Sequence, residues 1–316
     1  MIKMMNYFFL LMITLMSIST KSLFFIWIYL ELNMMVFIPL MKKMNNTMTN
    51  TMLKYYTIQS ISTSMLIFFL ILMKKNFNMN ITELMIMMAL WMKLGFFPFN
   101  SWFFQMTENM EWKLWMILNT IQKLIPLWII SWQLINMKLL NFMLIMNSFY
   151  SVMEIWNQQS LRWLINCSSL NHFSWMLISF NSIYSLWEMY FLSYCSMNFL
   201  LFKFMKNNNW NSLMNYFNNK PISLNLMFSL LLFNFMGVPP FFNFALKMMI
   251  IMNNNMYCLM ALLIMSTLMM AIIYFFLMTP LMNKNTLNKM IKIKMNYYTL
   301  NTIFLNGFFM MMVLLI

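Results

Sequence analysis

Runs of about twenty apolar residues recur from one end of the sequence to the other, each long enough to cross a bilayer as a helix. About eleven such segments can be marked, over roughly 5–20, 23–41, 57–73, 79–98, 112–132, 138–156, 160–180, 183–205, 222–247, 255–278 and 297–316. A membrane-spanning strand would alternate apolar and polar residues, and these runs are apolar all round, so the sequence predicts an all-α polytopic membrane protein. With 62% hydrophobic and 8% charged residues, no stretch is polar enough for a separate soluble domain, and the expectation is a single membrane domain. No short leader with its own cleavage site separates from the first span, so the initiator end is expected to stay in the mature chain.

The connections are short, apart from the Asn- and Lys-rich ones, and they set an orientation. If Lys3 and the loops after even-numbered segments share a side, that side carries Lys3, Lys42, Lys43, Lys54, Lys113, Arg162, Lys203, Lys206, Lys220, Lys284, Lys289, Lys292 and Lys294. The other side has only Lys21, Lys74, Lys75 and Lys138. The positive-inside rule then puts the N-terminus on the matrix or cytoplasmic side and the C-terminus on the opposite one. The net charge of +14 is thus a topology signal, and its dispersal argues against a nucleic-acid partner. The 47 Met and 33 Phe, beside 3 Gly, a single arginine (Arg162) and no Asp, resemble an AT-rich genome read in a mitochondrial code; a Met-rich adaptable core is the alternative.

Two segments carry helix breakers at membrane depth. The fourth contains Gly95 and Pro98, and the ninth contains Gly237, Pro239 and Pro240. Proline removes an amide donor and clashes with the preceding turn, so both helices should be interrupted, with their freed backbone facing protein or water. Taking 1–133 and 138–278 as two five-helix halves, with 297–316 as an extra C-terminal helix, both breaks fall on the fourth helix of a half. An odd number of helices per half gives the halves opposite topology, the pattern of an inverted repeat with broken helices. The lysine precedes the break in one half (Lys93) and follows it in the other (Lys247).

Deep ionisable groups are the candidate functional residues. Lys123 lies near the middle of the run 112–131, its Cα roughly 12 Å from either end at about 1.5 Å per residue. An ammonium at such depth costs at least ~2.5–3.5 kcal/mol, so Lys93 and Lys123 point to an ion pathway or a buried pair. Glu31, at the centre of FFIWIYLELNMMVFIPL, could exchange protons with a lysine or simply fix helix register as an ion pair. Lys247 is a further proton carrier or a residue that snorkels from near its segment end. His172, the only histidine, suits a relay between lysines, or is a satisfied core histidine. Glu83, Glu108, Glu111, Glu154 and Glu188 sit near segment ends, where helix dipoles or interfacial placement account for them. One histidine and three scattered cysteines, Cys167, Cys195 and Cys258, offer no haem, copper or iron–sulfur ligand set, and there is no phosphate-binding Gly-rich loop.

At these residues the sequence resembles the mitochondrial NADH dehydrogenase subunit 2 family, the antiporter-like membrane subunits of respiratory complex I. Six stretches carry the likeness in order: YLELNMMVFIPLM, LKYYTIQSISTSML, LWMKLGFFPFNSWF, NTIQKLIPL, NQQSLRWLINCSSLNHFSWM and FNFMGVPPFFNFALK. The resemblance implies a proton-translocating core subunit of an NADH:ubiquinone reductase in the mitochondrial inner membrane, N-terminus in the matrix and C-terminus in the intermembrane space. It implies no redox centre here, NADH, FMN, iron–sulfur clusters and ubiquinone being bound by other subunits. It also implies membrane-arm partners, including a neighbouring antiporter-like subunit and small subunits, with phospholipids. By motif match Glu31 and Lys93 form the intramembrane Glu–Lys pair, Lys123 is the central lysine, Lys247 the terminal one, and His172 lies on the hydrophilic axis between them. Departures are Trp163 for a second basic residue, Asn166 and Cys167 for a small–aromatic pair, Phe104 and Gln105 for Pro–Glu, and Asn243 and Ala245 for Gly and Pro. A cation/proton antiporter, or a subunit of one, shares the broken helices and lysines and is the competing reading.

Overall fold

The computed structural model describes residues 2–41, 46–75, 79–132, 137–156, 160–181, 186–208, 222–239 and 241–282. These residues form thirteen α-helices and one short 3-10 turn, with no β-strand among them. The helices are α1 (Ile2–Ser19), α2 (Leu23–Met41), α3 (Asn46–Lys74), α4 (Met79–Leu94), α5 (Ser101–Asn109), α6 (Trp112–Asn119), α7 (Ile121–Trp132) and α8 (Met137–Trp156). They continue with α9 (Leu161–Ile178), α10 (Leu186–Asn208), α11 (Ile222–Met236), α12 (Phe242–Asn253) and α13 (Tyr257–Met282). The eleventh expected segment, 297–316, and the loop lysines Lys42, Lys43, Lys220, Lys284, Lys289, Lys292 and Lys294 lie outside the described residues, as does Pro240.

Four of the described helices are long and apolar enough to cross a membrane: Leu23–Met41, Thr49–Lys74, Trp112–Trp132 and Tyr257–Phe276. Lys3–Ser19, Met227–Met236 and Phe242–Asn253 are apolar but shorter. Breaks shorten some of the expected runs, and buried Ser, Asn and His dilute others such as α9. Large apolar side chains still face outward on the long helices, among them Phe24, Phe25, Phe68, Phe275 and Phe276. That outward apolar surface suits lipid.

The chain divides into two compact units, residues 1–147 and 148–316. In the first, α3 packs on α2, α4 and α5, while α7 packs on α1, α2 and α4. Its core is aromatic: Phe37 meets Tyr55 at 5.5 Å between ring centroids, and Tyr55 meets Trp102 at 5.7 Å. In the second unit α10 packs on α9, α11 and α12, and α13 on α9 and α11.

Both expected breaks are present, and they share one geometry. Gly95 has φ +68° and Gly237 φ +73°, the left-handed conformation that ends a helix at little cost only for glycine. The Gly95 N–H donates to Met92 O (3.2 Å) and Phe96 N–H to Trp91 O (3.2 Å). Gly237 N–H likewise donates to Asn234 O (3.2 Å) and Val238 N–H to Phe233 O (3.5 Å). This is the paired 6→1 and 5→2 closure of a Schellman motif, written twice. After Gly95 the chain does not stay a loop: α5 forms and buries Trp102, Phe103, Phe104, Met106 and Thr107.

A third discontinuity has no Gly or Pro at its centre. The expected fifth helix divides at Thr120, whose Oγ1 donates to Met116 O at 2.8 Å and whose N–H reaches both Met116 O and Ile117 O. Such back-bonding by threonine bends helices, and Pro126 within α7 removes the donor that the Gln122 carbonyl would otherwise meet. The correction to the expected straight helix is local, but it places Lys123 between two irregularities.

A Cβ added at Gly95 would lie 2.9 Å from Phe103 Cβ, whereas at Gly237 the nearest atom is the flexible end of Lys247 at 3.1 Å. Gly95→Ala is therefore expected to cost about 1–3 kcal/mol of backbone strain plus the clash, and Gly237→Ala mainly the strain. Thermal unfolding of the two variants in detergent should show the larger loss for Gly95→Ala; equal losses would contradict the packing argument.

Candidate functional site

Backbone groups at each break are also met by side chains of the same unit. In the first unit the Trp102 indole N–H donates to Met92 O (3.2 Å), the Trp91 indole N–H to Phe97 O (2.8 Å), and Asn147 Oδ1 accepts from Phe97 N–H (3.1 Å). In the second unit Asn243 Nδ2 donates to Asn234 O (3.3 Å) while Asn243 Oδ1 accepts from Ser193 Oγ (3.1 Å). Met92 and Asn234 occupy the same place, three residues before the glycine, so Trp102 and Asn243 do one job with different chemistry. Asn243, a departure from the family's glycine, is thus accounted for by the carbonyl it satisfies. Gln105, another departure, accepts a hydrogen bond from Lys54 Nζ at 2.7 Å and keeps a polar contact without a carboxylate.

The expected lysines are inside. Lys93 is 7% exposed, Lys123 3% and Lys247 8%, so none of the three snorkels to a surface. Lys93 ends α4 one residue before its last, and its own carbonyl accepts from Gln59 Nε2 (3.4 Å). The Glu31 carboxylate, half-buried on α2, acts electrostatically on Lys93, although no contact-distance ion pair joins the two among the described residues. Lys123 lies over the Phe103 ring, 4.3 Å from its centroid, and 5.9 Å from that of Phe96. Both rings belong to the break and its following helix, so the cation is held by the aromatic faces that the interruption supplies.

Lys93 and Lys123 line one small cavity of about 20 Å³, enough for a water molecule, together with Asn33, Tyr55, Gln59 and Gln122. Among the described residues no carboxylate lines it. These four polar residues were not among the sequence-derived candidates; their signal is proximity to polar or charged neighbours, Asn33 two residues after Glu31, Tyr55 beside Lys54, Gln59 in a Thr- and Ser-rich stretch and Gln122 beside Lys123. Gln122 Nε2 donates to Asn33 Oδ1 at 3.1 Å, joining α7 to α2.

The second unit has a counterpart. Lys247 Nζ donates to Met236 O (2.9 Å), the last residue of α11, so a cation sits on the negative end of the broken helix. His172 Nδ1 is 2.9 Å from the Tyr190 hydroxyl, its ring meets that of Phe235 at 5.6 Å between centroids, and the Lys247 charge acts on it. His172 and Lys247 line a cavity of about 10 Å³ with Ser168, Asn171, Thr267 and Tyr274. The structure thus brings Lys93 together with Lys123 and His172 with Lys247, each pair in a cavity that touches the end of a broken helix. Gly95 and Gly237 end those helices, and Pro98 and Pro239 follow in the connections. Among the described residues no group of three or more His, Cys, Asp or Glu side chains is placed to hold a metal. Cys167, Cys195 and Cys258 are free thiols.

A family model described as NADH:quinone oxidoreductase/Mrp antiporter, transmembrane, matches residues 20–267. The NADH-ubiquinone oxidoreductase chain 2 of Anopheles gambiae is 34% identical over 268 residues, covering 79% of this chain and 77% of the relative. Among solved structures, a chain of respiratory complex I from Thermus thermophilus with bound aureothin superposes with a TM-score of 0.78 at 13% identity, over 98% of this chain and 77% of its own length. A chain of the membrane-bound sulfane sulfur reductase, an archaeal respiratory membrane complex, gives 0.81 at 15% identity, over 98% and 73%. At those identities the likeness is one of fold.

Replacing Asn243 by Leu would leave the Asn234 carbonyl and the Ser193 hydroxyl without this partner in a buried site. The expected cost is about 1–3 kcal/mol. It should appear as earlier thermal unfolding of the Asn243→Leu chain; an unshifted transition would mean that these groups find other partners.

Proposed function

The chain belongs to the NADH:quinone oxidoreductase/Mrp antiporter family of membrane subunits, and from that premise we propose that it is the proton-translocating core subunit of the chain 2 type in respiratory complex I. It works as part of an NADH:ubiquinone reductase whose electron transfer takes place in other subunits, which bind NADH, FMN, iron–sulfur clusters and ubiquinone. Its own contribution is a buried set of titratable side chains: Glu31 and Lys93 as the input pair, Lys123 as the central carrier, His172 as an intermediate and Lys247 as the terminal carrier. Eleven transmembrane helices in two inverted five-helix repeats, residues 1–133 and 138–278 with 297–316 beyond them, form the working unit. The N-terminus faces the matrix and the C-terminus the intermembrane space of the mitochondrial inner membrane. Partners are the other membrane-arm subunits, including a second antiporter-like one, and phospholipids.

The observation that carries this reading is the cavity shared by Lys93 and Lys123. Two ammonium-bearing side chains facing one water-sized space, with amides and a phenol for walls, can pass a proton by losing and regaining it at nitrogen. The same walls disfavour carriage of a metal cation, the competing antiporter reading. A unit charge about 4 Å from a charged lysine meets roughly 4 kcal/mol of repulsion at an effective dielectric near 20, and the Glu31 carboxylate that acts on Lys93 is not among the described lining residues. The lysine-capped helix end at Met236 supports a second carrier site of the same kind.

Blue-native electrophoresis of solubilised mitochondrial membranes, stained for NADH dehydrogenase, should find this chain in the large NADH-active complex; a smaller assembly without that activity would favour the antiporter. In sealed vesicles, Lys123→Met is expected to lower the number of protons ejected per NADH oxidised. An unchanged ratio in an assembled Lys123→Met complex would remove Lys123 from the path.

A further inference from the structure

The wall of the cavity that Lys93 and Lys123 line is made in part by two amides already bonded to each other. Asn33 is 3% exposed, lies on α2 two residues after Glu31, and accepts from Gln122 Nε2 at 3.1 Å. Gln122 immediately precedes Lys123 on α7, in the turn between the Thr120 discontinuity and Pro126. A carboxamide carries two donor hydrogens and an oxygen acceptor. The bond therefore uses one hydrogen of Gln122 and part of the Asn33 oxygen, leaving the Gln122 Oε1 acceptor and the Asn33 Nδ2 donor for the cavity that both side chains line. An acceptor and a donor held side by side on helices of fixed spacing will orient a water between them. Because neither amide titrates, the pair orients water without storing charge.

We infer that the Asn33–Gln122 pair is a positioning element of the proton path, orienting the water through which Lys93 and Lys123 exchange a proton. The inference rests on the proton-carrier reading of those two lysines. The step balances simply: the Lys93 ammonium gives a proton to the water oxygen, the water gives one of its own protons to the Lys123 amine, and water is regenerated with no redox change. A purely structural reading, in which the bond only ties α2 to α7, predicts effects on stability alone.

The experiment compares four forms of the assembled complex in sealed vesicles: Asn33→Leu, Gln122→Leu, the length-swapped double variant N33Q/Q122N, which keeps an amide pair of the same total length, and Lys123→Met. Blue-native gels measure assembly, and protons ejected per NADH oxidised is the functional readout. The expected result is that both Leu variants fall to the ratio of Lys123→Met while the swapped variant returns toward that of the unmodified protein. Assembled Leu variants with an unchanged ratio would overturn the inference, as would a swapped variant as low as the single ones. Leu variants that fail to assemble beside normal pumping by the swapped form would assign the pair to structure alone. An unchanged ratio in Lys123→Met would sink the proton-carrier reading itself, whereas a lowered ratio there with unaffected Leu variants would sink only the role of the amides.

Discussion

A helix that stops inside hydrocarbon exposes carbonyls that no water can reach, and each one left unmet costs free energy on the scale of a lost hydrogen bond or more. Much of this structure follows from that constraint. Gly95 and Gly237 close part of each helix end on itself; Trp102 and Asn243 add a second donor to a carbonyl of that closure, Lys247 meets the Met236 carbonyl, and Trp91 and Asn147 meet the Phe97 carbonyl and N–H in the connection. Trp91 comes from the broken helix itself, Trp102, Asn243 and Lys247 from the helix that follows, and Asn147 from 50 residues beyond its partner, so a local break also dictates packing at a distance. A negative helix end is also one of the few places where a cation can sit in a membrane protein's interior. The breaks thus locate Lys247 directly, and Lys123 through the aromatic faces of Phe96 and Phe103 that the first break provides.

The two units solve the same problem with unlike residues. At equivalent carbonyls, an indole serves Met92 and a carboxamide serves Asn234. A lysine lies before the first break and another after the second, yet each cavity contains the end of its broken helix and a buried lysine. What the units share is a donor aimed at a given carbonyl and a water-sized polar space beside it, a physical equivalence that residue-by-residue comparison does not reveal. The histidine's place follows the same logic, with the Tyr190 hydroxyl and the Phe235 ring fixing its ring beside the lysine cavity.

Most of the helices were legible because apolar runs bounded by Asn and Lys clusters admit no other structure in lipid. The expected bounds 23–41 and 138–156 lie within a residue of α2 and α8. The breaks at Gly95 and Gly237 were legible for an equally local reason, glycine followed by proline. Helix α5 and the division at Thr120 were not. Ser101–Asn109 lies in what reads as a connection, and it is helical because Trp102, Phe103 and Phe104 bury against the rest of the first unit. Thr120 is a common helix residue whose bend depends on where its hydroxyl finds an acceptor.

By itself the sequence determined the class of the fold, the depth of the lysines and the position of two helix ends, since hydrophobic length, charge cost and left-handed backbone are properties of short stretches. Only the tertiary structure decided which charges share a cavity, which side chains satisfy the broken helices, and that Asn33, Gln59 and Gln122 belong with the lysines. Those facts depend on contacts between residues up to 89 positions apart, such as Gln122 with Asn33. No local pattern encodes such a contact, because an amide in a spanning segment has the same sequence neighbours whether it faces a partner helix, a cavity or lipid.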